Sequence, residues 1–272
     1  MIGYWRKSVL ALVLAPILSL VGCAMSPSNA KVTGSASRLP VVALADAQKR
    51  ADIRLQLALD YYGLAQFSVA VEQANLALQA MPDLVEAYSV RALAHMALKQ
   101  PGQAEHDFRR ALELAPGNPE FANNYGWFLC SDAVDHRENE AIRFLEQAAD
   151  HRAYASPARA LSNAGVCSLR LGDAVAAERY FMRALQFEST HAAANLNLSK
   201  LYFDRAEFEQ AHRHIGLASK NDVLREDALW LAIRIERKLG NQIAENDLAV
   251  QLRRRYPSSS EYAAYQRGAF DE

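Results

Sequence analysis

The sequence lacks the features that mark most enzymes and nucleic-acid-binding proteins. None of its 12 glycines belongs to a phosphate-binding P-loop or to a Gly-x-Ser-x-Gly nucleophile elbow. The 30 Lys and Arg residues nearly balance the 31 Asp and Glu residues, and they form no basic tract. This distribution excludes the electrostatic footprint of a protein that binds nucleic acid. We therefore expect neither a nucleic-acid partner nor a small-molecule substrate.

Histidine and cysteine are also scarce, with seven and three residues respectively. His212 and His214 are two residues apart, a spacing that places them on different faces of a helix and disfavours a chelating pair. Cys130 is a candidate nucleophile, but the sequence assigns no base to it. We predict no catalytic residue, no metal site and no cofactor, with an enzyme that uses a hidden thiol site as the alternative from another class.

The amino-terminal segment has the pattern of a bacterial lipoprotein. An apolar run over residues 9–21 follows two positive charges and is shorter than the ~20 residues that span a bilayer. It ends in Leu-Val-Gly-Cys at 20–23, which resembles a lipobox, so we predict a signal peptide over 1–22 instead of a transmembrane helix. The resemblance implies acyl chains on Cys23. Because Ala24 and not aspartate follows, it also implies an outer-membrane anchor facing the periplasm.

Residues 23–46 contain several Ser and Pro residues and little periodicity, which predicts a flexible tether behind the lipidated cysteine. The other two cysteines, Cys130 and Cys167, would share a compartment that permits disulfides. A bridge needs Cα atoms within ~7 Å of each other, a distance that the sequence does not give. A disulfide and two free thiols therefore both stay open.

Alanine recurs along the chain with a long, nearly constant period. The steps between recurrences are 34, 37, 36 and 34 residues, and a second alanine lies seven residues before each. This period is typical of tetratricopeptide (TPR) repeats, which are two-helix units that stack into a solenoid. We also expect a small residue where the two helices of a repeat cross. The recurring alanines are Ala77, Ala111, Ala148, Ala184 and Ala218, and the small residues expected at the crossings are Ala58, Ala92, Gly126, Gly165 and Ser199.

The period predicts an all-α protein, a right-handed TPR solenoid of about six helix-turn-helix repeats over residues 47–258. No stretch of alternating polarity between 47 and 256 suggests a strand. Three extra residues around 131–138 predict a longer turn between the helices of the third repeat. Residues 259–272 are left as a carboxyl-terminal tail. The predicted repeats lie near 51–84, 85–118, 119–157, 158–191, 192–225 and 226–258.

The first helix of each repeat in a TPR array lines the concave face, and five positions of each repeat project into it. In the first two repeats those positions hold an unusually apolar set. Such a surface, which would otherwise face water, predicts a groove for a partner segment. The alternative is that residues 47–56 or the tether fold back over it. The groove residues are Leu55, Leu59, Tyr62, Leu93 and Met96.

Three stretches make the chain similar to the PilF/PilW family of type IV pilus biogenesis lipoproteins. They are Asn-Asn-Tyr-Gly-Trp-Phe-Leu-Cys at 123–130, residues 163–173 with Asn-Ala-Gly-Val-Cys and Arg-Leu-Gly-Asp, and residues 229–257 with Leu-Trp-Leu-Ala-Ile-Arg-Ile and Leu-Arg-Arg-Arg-Tyr-Pro. The resemblance implies six TPRs and an outer-membrane lipid anchor. It also implies a partner, the type IV pilus secretin, whose localisation and multimerisation the family promotes for pilus biogenesis and twitching motility.

The resemblance further implies a hydrophobic secretin-binding groove in the first repeats, where the apolar positions lie. The alternative among binding proteins is another periplasmic TPR adaptor lipoprotein, one that serves envelope assembly or a peptidoglycan hydrolase.

Overall fold

The computed structural model describes residues 41–131, 134, 136–219 and 224–270. These described residues form thirteen α-helices and no strand, so the predicted all-α TPR fold is confirmed. The helices are α1 (Val41–Gly63), α2 (Phe67–Ala80), α3 (Val85–Ala97), α4 (Pro101–Leu114), α5 (Pro119–Leu129), α6 (Glu138–Asp150), α7 (Pro157–Arg170), α8 (Ala174–Phe187), α9 (Ala192–Asp204), α10 (Phe208–Ala218), α11 (Glu226–Leu239), α12 (Gln242–Arg255) and α13 (Ser260–Arg267).

The predicted signal peptide, Cys23 and most of the predicted tether lie outside the described residues. Within the part of the chain that the structure describes, no helix has the length and apolar character that crossing a bilayer requires.

Helices α1 to α12 pair into six hairpins, and consecutive hairpins pack against each other. Small residues stand where the two helices of a hairpin cross. A Cβ atom built on Gly126 would lie 2.8 Å from Leu145 Cγ, and one built on Gly165 would lie 2.5 Å from Phe181 Cε1. At the equivalent point of the fifth hairpin, the buried Ser199 hydroxyl donates to the carbonyl oxygen of Ala211 at 2.9 Å. The crossing therefore tolerates no larger side chain at these positions.

The buried core is divided into clusters along the array, and the last hairpin has a small one of its own, formed by Leu229, Ile233, Ala249 and Leu252. One continuous cluster extends from Ala92 to Ile235 and contains fully buried aromatic side chains such as Phe108 and Phe181. The first hairpin and α3 instead share two small buried clusters that contain no aromatic residue. These small clusters are Ala58, Ala74 and Val90, and Ala77, Leu78 and Ala87.

Two helices extend beyond the predicted repeats. Helix α1 begins at Val41, inside the range 23–46 that was assigned to the tether, because residues 41–46 are mostly alanine, leucine and valine and include no helix breaker. Helix α13 lies in the range assigned to the tail and is capped by Ser259, whose Oγ accepts a hydrogen bond from the amide of Tyr262 at 3.1 Å.

The two cysteines of the solenoid connect the third hairpin to the fourth. Cys130 caps the carboxyl end of α5 and Cys167 lies within α7, and both are buried. Their Cα atoms are 5.7 Å apart and their sulfur atoms are bonded. This bridge follows directly on α5, just before the longer turn that separates α5 from α6. It fixes the third hairpin to the fourth at the point where that turn begins.

We expect the substitution Gly165→Ala to lower the free energy of unfolding by about 1–3 kcal/mol, because the new methyl group overlaps the buried Phe181 ring. The matched control is Gly216→Ala in α10, where no atom lies within 4 Å of the built Cβ. That change should raise stability by up to about 1 kcal/mol through helix propensity. Urea unfolding followed by circular dichroism measures both, and equal effects would contradict a tight crossing.

Reduction of the disulfide should also destabilise the solenoid. Closing a loop across a sequence separation of 37 residues contributes up to about 4 kcal/mol in the chain-entropy model. The urea midpoint of the wild-type chain should therefore fall on addition of dithiothreitol. The double variant Cys130→Ala/Cys167→Ala should show no response to the reductant. If the wild-type urea midpoint is the same with and without dithiothreitol, the two sulfur atoms are not bonded in the purified protein.

Candidate partner-binding groove

The predicted groove residues come from two helices that contact each other, α1 and α3. Leu55, Leu59 and Tyr62 are spaced four and three residues apart, which places them along one face of α1. Leu93 and Met96 follow the same rule on α3. The apolar stripe of α1 therefore neighbours the helix that carries the other two residues.

The five residues differ in how far they face solvent. Leu59 is 46% exposed. Leu55 and Tyr62 are half-buried against the small cluster of Ala58, Ala74 and Val90. Leu93 and Met96 are half-buried against the large core cluster instead. The structure thus leaves one leucine as the most available side chain, and the other four present part of their apolar surface.

Tyr62 lies at the carboxyl-terminal end of the α1 stripe. Its ring centroid is 5.5 Å from that of Phe67 at the start of α2. Burial raises the pKa of Tyr62 above its ordinary value. The phenol therefore stays neutral across physiological pH, and this end of the surface keeps an apolar body with one polar tip.

Carboxylates flank the apolar surface. Asp52 is exposed and its Oδ1 accepts a hydrogen bond from Gln48 at 2.7 Å. Glu86, at the equivalent position of the second repeat, is also exposed. Neither carboxylate forms an ion pair with a described residue. Both carboxylates are therefore available to basic residues of a partner.

Three further exposed apolar residues near α1 were missed by the sequence analysis. Leu44, Ile53 and Leu64 are 46%, 52% and 66% exposed. Ile53 occupies the third position of its repeat, which is buried in every later repeat. Since α1 is the first described helix, no described hairpin precedes it to cover Ile53. Comparing the third positions would have found it. Those later residues are Ala87, Phe121, Ala160, Ala194 and Ala228.

A row of side-chain amides, part of it buried, links the second, third and fourth repeats. Asn163 Nδ2 donates to Asn123 Oδ1 at 3.1 Å, and Asn123 Nδ2 donates to Asn124 Oδ1 at 3.1 Å. Asn124 Nδ2 then reaches Ser89 Oγ at 3.4 Å. These bonds cross from α7 to α5 to α3, and they tie the first helices of three successive hairpins together.

The candidate catalytic groups are each engaged elsewhere. Cys130 is bonded to Cys167 and carries no free thiol. His212 Nδ1 lies 2.5 Å from Glu236 Oε1, whereas His214 Nδ1 lies 2.9 Å from Asn195 Oδ1. Across the described residues no group of three potential ligands is placed to hold a metal ion.

Comparisons with known proteins match this architecture. The tetratricopeptide repeat family matches at residues 85–118. The chain is 25% identical over 256 residues to the type IV pilus assembly protein PilF of Pseudomonas aeruginosa, which covers 94% of this chain and 97% of PilF.

Two solved structures are similar over most of their length. PilW, described as a widely conserved type IV pilus biogenesis factor, has 30% identity and a TM-score of 0.69, with 79% of this chain and 98% of that chain covered. The Pseudomonas aeruginosa PilF structure has 25% identity and a TM-score of 0.70, with 82% of this chain and 99% of that chain covered.

Proposed function

Because this chain belongs to the PilF/PilW family of TPR proteins, we propose that it is an outer-membrane lipoprotein that binds type IV pilus secretin subunits and promotes their localisation and multimerisation. Its TPR fold and its relatives in pilus biogenesis point to a non-catalytic scaffold for protein–protein interaction. The observation that carries the proposal is the apolar surface on α1 and α3 with Leu59 at its most exposed point.

The chemistry of this surface fits an amphipathic partner helix. A helix lying across α1 and α3 would bury Leu59 and the remaining surface of its four half-buried neighbours. Covering the exposed part of one leucine contributes about 1 kcal/mol, so the five residues together supply several kcal/mol before the cost of ordering the partner. Basic residues at the edge of the partner would meet Asp52 and Glu86, which fixes its orientation.

The small core of the first repeats also supports this assignment. The buried residues there are mainly alanines, while the large apolar side chains of α1 remain at the surface. A bound apolar segment would add the packing that the large core cluster provides for the later repeats. Partner binding should therefore stabilise the amino-terminal end of the solenoid more than the rest.

The predicted lipid anchor would bring the groove, and any secretin segment bound in it, to the outer membrane. Lipid on Cys23 holds the protein at the outer membrane, and the groove holds a secretin segment near the same surface. Two associations joined in one chain act at a high effective concentration, so the secretin subunit stays at the membrane where it multimerises.

The first test is the substitution Leu59→Glu, which places a charge at the most exposed of the five groove residues without disturbing a buried contact. We expect at least about a tenfold loss of secretin in affinity purification from detergent-solubilised envelopes, because a carboxylate facing an apolar segment must be desolvated. The matched control is Val175→Glu on α8, where the side chain is 74% exposed.

The control variant should retain secretin at the wild-type level. If Leu59→Glu recovers as much secretin as the wild type, the groove is not the secretin-binding site. Absence of secretin from the wild-type sample, with other envelope proteins retained, would favour the general envelope adaptor instead.

The second test is Cys23→Ser, which removes the predicted acylation site. We expect the soluble TPR body to keep its unfolding midpoint, while secretin multimers disappear from the outer-membrane fraction and twitching zones shrink. Membrane fractionation with immunoblotting of unheated secretin measures the first effect. Normal multimers in the outer membrane of this strain would contradict the anchoring role of Cys23.

A further inference from the structure

The chain turns back on itself after the last helix. Gly268 ends α13 with a φ of 70°, and the amide of Ala269 donates to the carbonyl oxygen of Ala264 at 3.0 Å. This left-handed turn is a position that glycine adopts without strain. It directs Phe270 away from the axis of α13 and towards α11.

Phe270 is held by three contacts with α11 and one with Tyr265 of α13. Its ring stacks on Trp230 with a centroid distance of 5.4 Å and meets Tyr265 edge-on at 5.8 Å. The Arg237 guanidinium lies 3.8 Å from the ring centroid. Arg234 Nε donates to the main-chain carbonyl oxygen of Phe270 at 2.8 Å. An aromatic side chain and its own backbone are therefore recognised together.

The three α11 residues that hold Phe270 occupy concave-face positions. Counted from the start of their repeat, Trp230, Arg234 and Arg237 stand at positions five, nine and twelve. These are the positions that Leu55, Leu59 and Tyr62 hold in the first repeat. Phe270 thus covers the surface of the sixth repeat on which a partner segment would lie.

A pocket of about 240 Å³ adjoins the Phe270 site between α9 and α11. Arg234 separates the two, since its guanidinium lies 4.8 Å from the centroid of the Phe203 ring on the pocket side. Lys200 and Asp227 form an ion pair of 3.4 Å on the same wall. The aromatic and arginine surface therefore continues beyond the part that Phe270 occupies.

We propose that Trp230, Arg234 and Arg237 form a second docking site, for a non-helical segment of a partner protein that carries an aromatic side chain, and that Phe270 fills this site in cis. Stacking and the cation–π contact select an aromatic ring. The Arg234 bond requires a main-chain carbonyl that no helix uses, as in the turn that presents Phe270. A helix cap that only excluded water would need neither arginine contact.

Because Phe270 occupies the site in cis, a partner segment binds only if its affinity exceeds a minimum value. A tethered Phe270 competes at the effective concentration of a short linker, which is in the millimolar range. A partner segment must therefore bind well enough to displace it, and contacts in the adjoining pocket supply the difference. This site belongs to the sixth repeat and is separate from the proposed secretin groove in the first two repeats.

The test uses the full chain with Phe270→Ala, which empties the site and leaves its three holding residues intact. The probe is a fluorescein-labelled peptide with the sequence of residues 266–272, and the control peptide has alanine in place of its phenylalanine. We expect the probe to bind the variant at least about tenfold more tightly than it binds wild type, because the cis competitor is gone. Adding Trp230→Ala to Phe270→Ala should abolish this binding.

A second measurement keeps the result independent of the label. In a chain labelled with ¹⁵N at its indoles, the probe should shift the Trp230 signal, while the Trp127 signal serves as the reference. The proposal would be overturned if the Phe270→Ala chain is folded but its Trp230 indole signal does not shift when the probe is added. It would also be overturned if the probe binds the variant and the wild type with equal affinity. A wild-type dimer that Phe270→Ala abolishes in analytical ultracentrifugation would also overturn it, since the occupant would then be a second copy of the chain.

Discussion

The close crossing of two helices within each hairpin is the constraint on which the rest of the structure depends. In five of the six hairpins, the first helix carries alanine, glycine or serine at this point, and Gly165 against Phe181 is the tightest case. At Gly126 and Gly165 a larger residue would overlap the second helix of the same hairpin and push the two helices apart. Because the crossing repeats, the first helices share one face, and that face carries both the apolar groove and the Phe270 site.

Stability is distributed unevenly along this array. Each hairpin contacts mainly its neighbours, so local packing decides local stability. The central hairpins share the large aromatic cluster and the Cys130–Cys167 bridge. The first hairpin has only small buried clusters, and α13 supports the last. The apolar surface that the first hairpin leaves exposed is the same surface that a partner can use.

The alanine period predicted the hairpins, because each recurrence marks a helix crossing that cannot be built with larger residues. The groove was predicted only in part. Repeat position identifies the residues of the concave face, but it does not give the exposed fraction of a side chain such as Leu55 or Met96, which depends on packing against a core cluster. Ile53 was missed because its exposure comes from having no described hairpin before it. The Phe270 contacts have no periodic signal at all, as they depend on a turn at Gly268 and on side chains 33 to 40 positions away.

The concave face changes its chemistry from one end to the other. It begins with leucines on α1, continues with the exposed Arg159–Glu120 ion pair between α7 and α5, and finishes with Trp230 and two arginines on α11. A polypeptide lying along the whole face would match it in one orientation and mismatch it when reversed. The solenoid therefore has a built-in polarity, and a client held along it would be presented with a fixed direction of its chain.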